Sequence, residues 1–256
     1  KLTVTPSGCP QATSLTSSSV TSSSATIGWT APSSAPSNGY EYYYSTSSTD
    51  PTSGTTASGS VSAGTTSAAL SGLNSNTTYY YWVRSYCGGS DYSDWTLSAN
   101  FTTLCDPASI PFTEGFESGF TDGYYINGDY ANCYLNESVS GSQRWEANDT
   151  YTSYNTSPNT GSWNAILYYG NTDWLFYPVS LTSGTAYQFE CYARQDGSTS
   201  SNASITLAYG SSASAAAMTN TVVSATGIIN GDYQLISGTF TPSSTGTFYI
   251  GILGTI

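Results

Sequence analysis

The chain has 256 residues, of which four are Lys or Arg, sixteen are Asp or Glu and none is His, so its formal net charge is −12. Four cations cannot neutralise a phosphate backbone, which excludes nucleic acid as a partner, and an anionic membrane surface would repel the chain. No apolar run approaches the ~20 residues of a membrane helix, so we expect no membrane insertion. His is the commonest general base and metal ligand, and its absence predicts a protein that is not an enzyme.

Aromatic residues make up 14% of the chain, within a hydrophobic fraction of only 38%. Aromatic and β-branched side chains pack well on pleated sheets, and helix signals are nearly absent. The first part of the chain has strand-length segments separated by Gly, Ser, Asn and Pro, a spacing typical of a β-sandwich. These segments are 25–29, 40–45, 68–73, 78–86 and 95–103.

The distribution of charge predicts a domain boundary at residue 105. Four acidic and two basic residues precede it, whereas twelve acidic residues follow it with only Arg144 and Arg194. We therefore expect two domains, 1–105 and 106–256, with different surfaces.

The five cysteines show no Cys-x-x-Cys spacing and have no His partners, which disfavours a zinc site. Two disulfides and one free thiol is the simplest interpretation, and it indicates a secreted, extracellular protein.

Two segments have the pattern of consecutive sandwich strands: 24–29, which contains Trp29, and 40–44. A third segment, 73–79, leads to Tyr79. Together these motifs resemble a fibronectin type III domain, as found in secreted multidomain proteins of Bacteroidetes-type bacteria. The resemblance implies a spacer, with Tyr79 as the tyrosine-corner residue. Cys9 and Cys87 would then lie at one pole and form a disulfide. The loop 88–94 has two acids and a tyrosine, and we interpret it as a solvated turn rather than a binding site.

The second half resembles the jelly-roll modules described as MAM-like, cleaved-adhesin-like or galactose-binding-like. The motifs that carry the resemblance are 110–119 as the opening strand, Cys133-Tyr134, Trp145, 159–165, 173–181, 185–194 as a long central strand, and the late strands 233–241 and 246–253. A Cys105–Cys133 disulfide would clamp the opening loop. Cys191, on the expected central strand, would be a buried and inert thiol.

Two ligands follow from this second resemblance. Jelly rolls of this kind often hold a structural Ca²⁺, and Glu117 and Asp173 match the positions of its carboxylate ligands. The same fold also binds carbohydrate, for which aromatic faces beside amides are suited. The tyrosines in or near loops are Tyr124, Tyr125, Tyr130, Tyr151, Tyr154, Tyr168 and Tyr169.

The last apolar segment, 247–253, resembles the penultimate strand of such modules. We expect it to be an open edge that is paired either by further native sequence or by a neighbouring copy. The stretch 213–217 could be a short helix, although its Ser and Thr neighbours favour a loop or an edge strand.

The leading functional hypothesis is a non-catalytic extracellular segment of an adhesin or surface filament, whose partners are neighbouring copies or other domains of a longer surface protein. The alternative is a carbohydrate-binding accessory region of a secreted hydrolase.

Overall fold

The structure, a computed structural model, describes residues 8–127, 133–149, 157–195, 203–228 and 231–256. Contacts between Cα atoms divide the chain into two compact units, Lys1–Asp106 and Pro107–Ile256. Both units are all-β, as predicted, and the described residues contain a single 3-10 turn, Ala215–Ala217. Within those residues no helix has the length and apolar character to cross a membrane.

The first unit is a sandwich of two antiparallel sheets. One sheet has the order β1-β2-β5, and the other has the order β4-β3-β6-β7 with β8 also paired to β6. The strands are β1 Thr13–Ser18, β2 Ser24–Thr30, β3 Tyr40–Ser45, β4 Gly59–Val61, β5 Ser67–Ser71, β6 Thr78–Gly88, β7 Asp91–Tyr92 and β8 Ala99–Thr102.

Alternation along β6 builds the core of this sandwich. Tyr79, Tyr81 and Val83 share one face and pack with Trp29 and other apolar residues in one buried cluster. The hydroxyl of Tyr79 accepts a hydrogen bond of 3.0 Å from the backbone N–H of Asn74. Tyr79 is thus the tyrosine-corner residue that the sequence predicted.

The second unit has a five-stranded antiparallel sheet with the order β15-β14-β17-β12-β9 and two separate two-stranded sheets, β13-β16 and β10-β11. The strands are β9 Leu135–Ser140, β10 Glu146–Asn148, β11 Asn164–Ile166, β12 Thr172–Leu181, β13 Tyr187–Ala193, β14 Ala203–Gly210, β15 Asn220–Ile228, β16 Gln234–Phe240 and β17 Gly246–Thr255.

The five-stranded sheet is covered on both faces. Leu207 packs on one side with Phe189 and Ile236 of β13 and β16. On the other side Trp174 and Phe176 pack with Met218, beside the 3-10 turn. A strand buried on both faces has a nearly continuous hydrophobic sequence rather than an alternating one, which is why 173–181 is so apolar.

Three expectations for the second unit are wrong. Segment 110–119 is not a strand, because Pro111 has no N–H to donate and Phe116 and Gly119 have positive φ. The segment 185–194 is not central, since β13 pairs only with β16.

The segment 247–253 is not an open edge, because β17 lies between β12 and β14 and pairs with both. Its apolar sequence reflects a central position. The argument for a strand supplied by a neighbouring copy therefore loses its basis at this segment. The stretch 213–217, which the sequence predicts as a loop or an edge strand, includes the short 3-10 turn Ala215–Ala217.

The structure joins Cys9 to Cys87, with 5.7 Å between their Cα atoms. Cys105 and Cys133 are both disulfide-bonded. Cys191 is the free cysteine; it is half-buried, and burial raises the pKa of its thiol to about 12, so the thiol stays protonated and unreactive.

Candidate functional site

Asp173, the first of the two predicted calcium ligands, lies on β12 and is fully buried. Its Oδ2 accepts a hydrogen bond of 3.0 Å from the backbone N–H of Trp145, while its Oδ1 is buried without a hydrogen-bond partner. Burial raises the pKa of this carboxyl to about 6, against the lowering effects of the Trp145 N–H and the Arg144 charge. The indole of Trp145 donates to the carbonyl of Asp173 at 2.9 Å and lies against Gly254, where any Cβ would collide with the ring.

Glu117, the second predicted ligand, has a different environment. Its side chain is exposed, and its carboxylate accepts hydrogen bonds from the backbone N–H groups of Ser162 and Trp163 at 3.0–3.2 Å. Gly161 precedes them with a φ of +71°, and a Cβ there would overlap the Glu117 carboxylate. Glu117 therefore fixes the turn before β11.

These two positions do not fit one calcium site well. Each carboxylate is held by its own backbone donors, from residue 145 in one case and residues 162–163 in the other. Calcium requires six to eight oxygen ligands, and among the described residues no three Asp, Glu, His or Cys side chains form a group able to hold a metal ion. A calcium ion on Glu117 and Asp173 stays a prediction.

The predicted sugar-binding tyrosines have different exposures. Tyr130, Tyr151 and Tyr154 lie outside the described residues. Tyr125 is half-buried, whereas Tyr124 and Tyr168 are 48% and 40% exposed and Tyr169 is 75% exposed. Tyr168 and Tyr169 form the turn between β11 and β12, which makes them the best placed of the set to contact a ligand.

A buried amide holds that turn in place. Asn171 is 4% exposed, and its Nδ2 donates to the carbonyls of Tyr168 and Tyr169 at 2.7 and 3.1 Å. Its Oδ1 accepts from the backbone N–H of Gln143 at 2.8 Å. Gly170, at a φ of +82°, donates its N–H to the carbonyl of Ile256. The turn therefore presents two aromatic rings on a fixed backbone.

The outer face of β13 and β16 is a polar and aromatic surface to which none of the sequence motifs assigns a function. Gln188 donates from Nε2 to Glu190 at 2.7 Å and to Ser237 at 2.9 Å. Tyr192 and Leu235 lie directly opposite each other and are 53% and 51% exposed. The alternation of polar residues at 188 and 190 with the buried Phe189 is the sequence signal for this exposed face, and it conflicts with the prediction of a central strand.

In the first unit, the loop 88–94 has a structural role. Arg84 lies between the rings of Tyr92 and Trp95, with its guanidinium carbon 4.2 and 4.5 Å from their centroids. It also pairs with Glu41 at 2.6 Å and donates to the carbonyl of Ser53. Because these groups already occupy the guanidinium, Arg84 is not available as a cation for an anionic ligand.

Residues 10–102 match the family model described as the fibronectin type III domain. No curated protein matches the chain. Among solved structures, the FN3 domain of human collagen XX is 25% identical over 40% of this chain and 100% of its own, with a TM-score of 0.29. A two-domain fibronectin type III segment of chicken tenascin is 13% identical over 96% and 91%, with a TM-score of 0.31.

A structure titled for carbohydrate-binding modules of the β-sandwich superfamily aligns at 10% identity over 98% and 94%, with a TM-score of 0.29. These scores are too low to support an argument about function. The family match is specific to the first unit, where it agrees with the core tryptophan and the tyrosine corner. Residues 10–102 are therefore a fibronectin type III domain, a module that is generally non-catalytic.

Proposed function

We propose that the chain is a non-catalytic, extracellular segment of a surface adhesin or filament. In this proposal the fibronectin type III domain is a spacer and the second unit, a MAM-like jelly roll, carries the contact surface. The observation that supports it most is the disulfide-bonded fibronectin type III domain of the first unit, which is followed in the chain by a second all-β unit. Disulfides and this domain type are typical of proteins outside the cell.

The chemistry of the candidate residues favours binding over catalysis. The chain has no His, and Glu117 is held by backbone donors on a turn. Asp173 has no exposed surface for a substrate. The high pKa of Cys191 leaves it without a thiolate near neutral pH.

A binding assay combined with a turnover assay tests this proposal. The labelled full chain is applied to intact cells and to a panel of surface polysaccharides, and soluble products are measured in parallel. We expect saturable binding to cells and no product release. Product release that increases with protein concentration and disappears in Asp173→Asn would contradict the proposal.

The Tyr168–Tyr169 turn favours a second candidate, a carbohydrate-binding accessory region of a secreted hydrolase. Exposed aromatic rings on a rigid backbone stack on sugar faces with little loss of conformational entropy. The test is a glycan array with the double variant Tyr168→Ala/Tyr169→Ala. Its matched control is Tyr192→Ala/Leu235→Ala, which removes a similar exposed apolar area from another face. Tight sugar binding lost only in the first variant favours the accessory region, whereas cell binding without sugar binding favours the adhesin.

A further inference from the structure

A cleft in the fibronectin type III domain has no role in the proposed function, in which this domain is a spacer. Its volume is about 400 Å³, within the usual range of small-molecule sites. Segment 50–53 forms its first wall and segment 90–97 its second wall, and Arg84 of β6 also lines it. The other side chains that the cleft presents include Asp50, Ser53, Ser90, Asp94, Trp95 and Leu97.

Side chains of the sheet and of the second wall hold the first wall in place. The indole N–H of Trp82 donates to Oδ1 of Asp50 at 2.9 Å. Arg84 donates from Nη1 to the carbonyl of Ser53 at 3.1 Å. The indole N–H of Trp95, on the second wall, donates to a backbone carbonyl of the first wall at 3.0 Å. The two walls are therefore tied to each other as well as to the sheet.

Paired hydrogen bonds fix the second wall to β6. The backbone N–H of Ser85 donates to Oγ of Ser93 at 2.8 Å, and the N–H of Ser93 donates in return to the carbonyl of Ser85 at 3.0 Å. Val83 and Thr96 are joined in the same way, at 3.1 and 2.9 Å. The shape of the cleft is thus set before a ligand arrives, and a preformed site loses little conformational entropy on binding.

The charges that line the cleft favour a neutral ligand over an ion. Asp50 and Asp94 would repel an anion, and the guanidinium of Arg84 is already paired with Glu41. The same guanidinium opposes a metal ion or an amine. The Asp94 carboxylate is exposed, and Asp50 uses only Oδ1 in its bond to Trp82, so both can accept hydrogen bonds from the hydroxyl groups of a ligand.

We propose that this cleft binds a neutral saccharide, whose hydroxyl groups donate to Asp50 and Asp94. A sugar ring also presents C–H groups, which Trp95 and Leu97 can contact; Leu97 is 88% exposed. The site lies within the first unit and does not involve the Tyr168–Tyr169 turn. It gives the spacer domain a ligand of its own, whether the chain belongs to an adhesin or to a hydrolase.

Titration of the full chain with neutral tetraoses of glucose, xylose, mannose and N-acetylglucosamine tests the site. Calorimetry gives the affinity, and the indole N–H resonance of Trp95 in the NMR spectrum is the local readout. We expect at least one of these tetraoses to bind and to shift that resonance. Asp94→Ala should weaken the affinity about tenfold, because hydrogen bonds to charged groups are among the stronger ones. Its matched control is Asp91→Ala, which removes the same charge from an exposed position of the same loop outside the cleft and should keep the wild-type affinity.

Two further variants separate this site from loss of folding and from the second unit. Leu97→Ala should weaken the affinity without lowering the melting temperature, whereas Tyr168→Ala/Tyr169→Ala should leave the Trp95 shift intact. The proposal is overturned if no neutral tetraose shifts the Trp95 resonance, or if Asp94→Ala and Leu97→Ala both keep the wild-type affinity. It is also overturned if a cationic glucosamine tetraose or an anionic galacturonic acid tetraose shifts this resonance with higher affinity than every neutral one.

Discussion

The buried charged side chains of the two units differ in how completely they are paired. In the fibronectin type III domain, the buried guanidinium of Arg84 has a carboxylate, a backbone carbonyl and two aromatic faces around it. In the second unit, Asp173 is fully buried with one carboxylate oxygen unpartnered, and Glu146 is buried near the like charge of Asp122. Both units also bury a few neutral polar atoms without partners, such as the Trp29 indole N–H and the Asn148 Oδ1.

In the first unit the buried charge is therefore paired, whereas in the second unit a buried carboxylate has an oxygen without a hydrogen-bond partner. A satisfied buried charge fixes geometry and leaves nothing for a ligand to neutralise. A buried carboxylate with an unpartnered oxygen gains from a proton, so pH should change the stability of the second unit more than that of the first.

The largest expected effect is the loss of stability of the first unit when its Cys9–Cys87 disulfide is removed. The Cys9–Cys87 bridge spans 78 residues, and in the loop-entropy treatment of disulfides its removal costs about 4.5 kcal/mol. Urea unfolding of Cys9→Ser/Cys87→Ser should show this loss in the first unit. Cys191→Ala, which touches no disulfide, is the control and should cost the first unit nothing.

Non-reducing mass spectrometry identifies which cysteines are joined by disulfides. We expect Cys9–Cys87 and Cys105–Cys133, with Cys191 free. A bridge that contains Cys191 would refute the assignment.

The second largest expected effect is the loss of stability when the ion pair between Arg84 and Glu41 is broken. Arg84→Ala leaves Glu41, which is 20% exposed, without its cation, and breaking such a pair from one side should cost about 4 kcal/mol. Replacing both partners, as Arg84→Met/Glu41→Leu, should recover most of this loss because no uncompensated charge remains. Urea midpoints of the first unit give both values. Equal destabilisation by the single and double variants would show that stacking on Tyr92 and Trp95 contributes more than the ion pair.

The smallest effect of the three is a pH dependence in the second unit. The pKa of Asp173 in the folded state is about 6, against an ordinary value of 3.8, so the folded state binds more protons than the unfolded state between these pH values. Stability from this group is therefore complete below about pH 4 and falls by about 3 kcal/mol as the pH rises through 6.

Asp173→Asn should remove that part of the pH dependence. The measurement is the urea midpoint of the second unit at several pH values with chelator present, for both proteins. Parallel pH profiles would mean that Asp173 does not titrate in this range.

Local sequence determined most of the first unit. The strand predicted at 40–45 has the same bounds in the structure, and that at 78–86 differs only in its last two residues. Alternation placed Tyr79, Tyr81 and Val83 on the core face. Side-chain periodicity records which face of a strand is buried, and in a sandwich with one buried face per sheet that information is nearly sufficient.

In the second unit, only the tertiary structure showed which strands are neighbours. Segment 247–253 is apolar because β17 is central, yet the same apolar sequence also fits an edge strand that requires a partner. Segment 185–194 has the length of a central strand but pairs on one side only. Which strands become neighbours depends on long-range pairing, and composition does not record it.

For the candidate sites, too, the sequence determined some features and only the tertiary structure decided others. The sequence by itself determined the all-β class, the excess of negative charge and the residues available for binding, because these follow from side-chain chemistry. Only the tertiary structure decided that Glu117 fixes a turn, that Asp173 is buried beside Trp145 and that Asn148 donates to Asp122. In each case the two partners come from segments that are far apart in the sequence, and only the packing of those segments brings them together.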